Sequence, residues 1–133
     1  MKVPKYRFGT QQAIKKLADE LKLPYLPIMQ DWSYEVSNPD DIEKYINHYN
    51  SLSNEDEKFV MMEIIIDSNN DQESHDKLEF YWNKVKQLLI KDFVIHEYTV
   101  FYWKGLSKRE DVDEWPISPY MRTLWDEMHN LTQ

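Results

Sequence analysis

The chain of 133 residues has no cysteine and only two glycines, Gly9 and Gly105. Without thiols there can be no disulfide, no thiolate metal site and no cysteine nucleophile. Glycine lets a backbone approach a phosphate closely or turn through positive φ. Two isolated copies rule out a Walker loop, a G-x-G-x-x-G dinucleotide turn and a G-x-S-x-G nucleophile elbow. Turn-rich β folds also draw heavily on glycine, so the shortage favours helices joined by short connections. Long hydrophobic runs are missing as well. The most apolar stretches, 59–66 and 93–103, are too short and interrupted to span a bilayer. Lys2, Lys5 and Arg7 are followed by no apolar segment, so no secretory leader is expected. A cytoplasmic protein with no membrane association is the expectation.

Acidic and aromatic residues fill the chain instead. Asp and Glu number 24 against 16 Lys and Arg, for a net charge of −8, and there are five Trp, nine Tyr and five Phe. The charge is uneven: 31–76 holds thirteen acids and two bases, and 110–133 six acids and one base, while 1–25 and 77–109 are basic. Nucleic acid is a poor partner for this sign, because duplex binding depends on Lys and Arg neutralising phosphates. A basic protein is a better one.

Hydrophobic spacing predicts helices. Thr10 suits an N-cap for a first helix to about residue 22, with Ala13, Ile14, Leu17, Ala18 and Leu21 on one stripe. Residues 23–37 read as irregular, with a short extended segment at Trp32, Tyr34 and Val36. Asn38 and Pro39 open a second helix whose buried face is Ile42, Tyr45, Ile46 and Tyr49. Ser53 with Asp56, and Asn54 with Glu57, are overlapping capping-box spacings before a third helix over 55–68. On that helix Glu63 and Asp67 are one turn apart on a narrow polar face. A fourth helix is expected over 73–89. A fifth is capped by Asp92, carries a stripe of Val94, Ile95, Tyr98, Phe101 and Tyr102, and ends at Gly105. After a charged loop, Ser118 and Pro119 open a sixth. The expected fold is therefore all-α, a single domain over 1–133 of five or six antiparallel-packed helices. The alternative is a small α/β fold with three short strands at 32–36, 59–66 and 94–102.

Chemistry is harder to find. There is no H-E-x-x-H, and no Glu precedes a His by three residues as di-metal bundles require. Asp126 with His129 is the one near-miss, and it reads as a solvated pair near a fraying helix end. No serine has a recognisable activating context. His48 and His75 fall on exposed helix faces, and His96, within an aromatic helix, reads as a boundary residue. No catalytic residue, metal ligand or cofactor is assigned.

Two surfaces suit a basic protein partner, since acids steer the encounter and aromatic rings supply short-range energy. One is Asp40, Asp41 and Glu43 with Tyr45 and Tyr49; the other is the loop Glu110, Asp111, Asp113 and Glu114 ending in Trp115. The competing reading of the loop has Trp115 folded back beneath it and the acids merely solvated. The leading expectation is a non-catalytic interaction module, and by analogy of type alone bacterial immunity proteins and antitoxins are of this kind. A second is a small-molecule binder or unorthodox enzyme with an inter-helix pocket near Trp32, His96 and Trp103. A third is a homo-oligomer with aromatics packed between subunits.

Overall fold

The computed structural model describes residues 3–26, 28–105 and 114–130, and every regular element among them is helical. In chain order these are α1 (Gln11–Leu21), α2 (Trp32–Val36), a 3-10 turn (Pro39–Asp41) leading into α3 (Ile42–Asn50), α4 (Glu55–Asn70), α5 (His75–Lys91), α6 (Phe93–Trp103) and α7 (Ser118–His129). The all-α expectation holds, and the three-strand alternative is not supported. Residues 59–66 and 94–102 lie inside α4 and α6, and the segment expected to be extended at 32–36 is the short helix α2. That helix brings the α-helices among the described residues to seven, against the five or six expected. Among the described residues no helix is long and apolar enough to cross a membrane.

The helices begin where side chains replace missing backbone partners. Thr10 Oγ1 accepts from the Ala13 N–H at 3.2 Å, and Asn38 Oδ1 from the Asp40 N–H at 3.0 Å. Of the two overlapping boxes before α4 the second is used, with Asn54 Oδ1 accepting from the Glu57 N–H at 3.0 Å. Helix α5 starts later than expected, because Ser74 is its cap and accepts from the Lys77 N–H at 3.2 Å. Ser118 does not cap α7. Its Oγ donates to the Trp103 carbonyl at 2.7 Å and ties the start of α7 to the end of α6. Gly105 follows with φ +67°, the left-handed exit expected of it.

The described helices belong to two compact units, Phe8–Gln72 and the combination of Met1–Arg7 with Glu73–Gln133. In the first, α1, α2, α3 and the 3-10 turn all pack on α4. Phe59, Val60, Met61, Met62, Ile64, Ile65 and Ile66 of α4 are all buried, as in a helix apolar on nearly every side. Gly9 passes so close that a Cβ there would lie 2.9 Å from Val60 Cγ2. Val60 is buried and β-branched and can move little. Gly9→Ala is therefore expected to destabilise the protein by about 1–3 kcal/mol, read as a lower denaturant midpoint with unchanged slope.

The second unit is built from α5, α6 and α7. Leu78, Trp82, Val85 and Leu89 of α5 and Met121, Leu124 and Trp125 of α7 are buried. The face of α6 differs from the one periodicity selected. Of Val94, Ile95, Tyr98, Phe101 and Tyr102, only Ile95 is buried, and Val94 is 94% and Tyr102 53% exposed. The inner face is Ile95, His96, Thr99, Val100 and Trp103. Helix α6 carries apolar residues on two adjoining arcs, and burying the indole of Trp103 removes more apolar area than burying Val94.

Candidate functional site

The charge of the chain divides along the two units. Residues 8–72 hold thirteen Asp and Glu against five Lys and Arg, while residues 1–7 and 73–133 together hold eleven of each. The whole net charge of −8 therefore belongs to the first unit.

Within that unit Glu63 and Asp67 of α4, and Asp71 at its C-terminal cap, follow one another at one-turn spacing. Asp31 stands at the head of α2, which packs on α4, and its backbone N–H donates to Glu35 at 3.4 Å. These acids oppose one another. Burial, reinforced by the charges of Asp67 and Asp31, pushes the Glu63 carboxyl up to about 8. Burial, with Asp31 and Asp71, pushes Asp67 up to about 7. Farther up the same helix Glu57 meets a different environment, with both its carboxylate oxygens 3.2 Å from Lys16 Nζ. Carboxyls held near neutrality can donate or accept hydrogen bonds and can exchange a proton for a cation. Among the described residues no group of three or more His, Cys, Asp or Glu is arranged to hold a metal ion.

The residues singled out in the sequence fall in several places. Asp40 and Glu43 are exposed and Asp41 half-buried around the 3-10 turn, which Gln72 ties to α4 by donating to the Pro39 carbonyl at 3.0 Å. Tyr45 and Tyr49 are turned into the core, 1% and 2% exposed, so they are not part of that surface. Burial and the Asp41 charge together hold the Tyr45 hydroxyl above its ordinary pKa. Glu110, Asp111 and Asp113 lie outside the described residues. Glu114 is engaged within the protein, its oxygens 2.8 and 3.1 Å from the Arg122 guanidinium, which also donates to the Lys104 carbonyl. That bond holds the Glu114 carboxyl below its ordinary pKa. Trp115 packs on Trp103 and Tyr102 at ring-centre distances of 4.6 and 5.4 Å and remains partly exposed. The described end of the loop is thus folded back onto its own unit.

The three pocket candidates are divided between the units. Trp32 belongs to the first unit, where its Nε1–H donates to the Pro24 carbonyl at 2.7 Å, while His96 and Trp103 lie on the inner face of α6 in the second. His96 is fully buried rather than at a boundary. A groove of about 400 Å³ lies elsewhere, lined by Lys15, Ala18, Asp19, Leu23 and Tyr25.

His129 is better fixed than a fraying end suggests. Its Nδ1 lies 2.8 Å from the Trp125 carbonyl and its Nε2 2.9 Å from Glu97 Oε2. Both partners accept only, so both bonds together require the imidazolium. Burial opposes that charge, but the bonds to Glu97 and Trp125 outweigh it and raise the pKa. His48 likewise meets Glu20 at 2.8 Å. The row on α4 was foreshadowed by the spacing of Glu63 and Asp67, whereas Asp31, distant in sequence, gave no signal. Comparison of the chain with protein-family models, with curated proteins and with solved structures finds no match.

Proposed function

We propose that the protein is a non-catalytic interaction module whose first unit docks a basic protein through its acidic surface. The observation that carries this reading is the charge partition, which concentrates the net −8 in residues 8–72 and leaves the rest balanced. Such a field speeds encounter with a cationic partner and disfavours nucleic acid. Occlusion of a positively charged protein, as immunity proteins and antitoxins perform it, is one form this role takes. On this reading the protein works in the cytoplasm.

The first unit is preferred to the 110–115 loop because Glu114 and Trp115 already have partners within the chain. The test is affinity capture from source-cell lysate with the wild-type chain and with Asp40→Asn/Asp41→Asn/Glu43→Gln. A basic protein released by a few hundred millimolar salt, and recovered several-fold less with the triple variant, is the expected result. Equal recovery of every protein with both baits overturns the reading. A mass of the purified chain that rises with concentration would point instead to self-association through the exposed Val94 and Tyr102 side of α6.

A further inference from the structure

We infer that Asp31, Glu63 and Asp67 form a seat for one arginine or lysine side chain of the basic partner. This deepens the docking role and rests on it.

The argument begins from two carboxylates on one helix. Glu57 and Asp67 are each 8% exposed. Glu57 has Lys16 on both oxygens, whereas no hydrogen bond or cation meets the Asp67 carboxylate among the described residues. A carboxylate so deeply buried is costly unless paired. What faces Asp67 is more negative charge: Glu63 and Asp71 along α4, and Asp31 from α2. From the 3-10 turn, Asp41 adds its charge beside Tyr45. Three of the unit's five cations are engaged elsewhere. Lys16 of α1 is held between Glu57 and Glu20, Lys58 lies over the Tyr49 ring, and Lys15 lies near the Tyr25 ring. Among the described residues, every charge that acts on Glu63 and Asp67 is negative.

An ammonium or guanidinium from outside would supply the positive charge. At mildly acidic pH, Glu63 and Asp67 hold their protons and offer the cation little. Above neutrality the carboxyls ionise, the cation takes the place of the protons, and the protons pass to the buffer. Ordinary surface acids, ionised throughout this range, give no such dependence. The proton exchange therefore separates the seat from the surrounding acidic surface.

The experiment is titration calorimetry of the full chain with an octa-arginine peptide at about pH 6 and about pH 8, in phosphate and in Tris. Wild-type protein is expected to bind about tenfold more tightly at the higher pH, with heats that differ between buffers by the release of roughly one proton or more. Glu63→Gln/Asp67→Asn is expected to lose the pH dependence and the buffer difference while keeping the weaker binding seen in acid. Both substitutions remove an unfavourable charge, so the variant folds. Binding that is independent of pH and buffer in the wild type, or unaltered in the double variant, overturns the seat and leaves the docking role standing. Absence of peptide binding at either pH defeats both. Magnesium binding that follows the same pH dependence while the peptide's does not would assign the cluster to a divalent ion and also overturn the seat.

Discussion

Replacing Glu63 by glutamine and Asp67 by asparagine is expected to make the protein more stable, not less, with a gain on the order of several kcal/mol near pH 8. Burial and neighbouring carboxylates hold Glu63 at about 8 and Asp67 at about 7, against ordinary values of 4.5 and 3.8. In the unfolded chain both release their protons near pH 4. Between pH 4 and 8 the folded state therefore binds more protons than the unfolded one, and stability falls as pH rises. The contribution is fully present below the ordinary values and is lost as pH passes through the raised ones. The double variant has nothing to lose across this window. Its advantage should be small near pH 4 and grow to its full size by pH 8. Glu73 and Glu114, held low by Lys77 and Arg122, act in the opposite sense and only as pH falls through the ordinary carboxylate range. Both are exposed, so they trim the acid edge of the profile without reversing it. Denaturant midpoints for both proteins from about pH 5 to 8.5 decide the matter. A wild-type midpoint that does not move, or a variant no more stable at the alkaline end, contradicts the account.

Local signals were legible where one side chain settles a geometric question. Thr10 and Asn54 cap the helices they were expected to cap, Asn38 caps the 3-10 turn that leads into α3, and Gly105 takes the left-handed exit. The faces of α1 and α3 were legible too, because each has one apolar stripe and a polar remainder. Helix α6 was not. Apolar residues occupy two of its arcs, so spacing shows that it is a helix and says little about which arc turns inward. In α2 the alternation of Trp32, Tyr34 and Val36 suggests an extended segment, and five residues are too few to tell a period of 2 from one of 3.6. The acidic row was half visible. Glu63 and Asp67 share a turn of an apolar helix, but their perturbation also depends on Asp31, and only tertiary packing brings α2 onto α4. For His129 the sequence offered a neighbour, Asp126, and the fold supplied a distant partner, Glu97.

In the second unit, Trp125→Ala is expected to cost about 3–5 kcal/mol, the usual range for deleting a buried indole. The ring is 2% exposed, lies 5.4 Å from Phe101 and 3.9 Å from the His129 ring between centres, and has Lys104 Nζ 5.9 Å from its own. Its Nε1–H finds no acceptor among the described residues. A phenylalanine in its place therefore sacrifices no hydrogen bond and should cost clearly less than alanine. The two variants should also differ in the titration of His129. The imidazolium bridges the Trp125 carbonyl and Glu97 while stacked on the indole, and the pair of bonds raises its pKa despite burial. Phenylalanine keeps a ring beneath it and should keep that elevation. Alanine frees the imidazole to swing from Glu97, so its pKa should fall back towards the ordinary value. Glu97→Gln should lower it as well while leaving the packing intact. The sign of the linkage adds a further check. A histidine raised in the folded state contributes fully below its ordinary pKa and loses that contribution as pH climbs through the raised one. The cost of Trp125→Ala should accordingly be greatest in mild acid and shrink above neutrality. NMR titration of His129 in the three variants, with denaturation at the two ends of the range, tests both effects. A His129 pKa unmoved by Trp125→Ala would mean that Glu97 alone holds the imidazolium and that the indole serves only as filling.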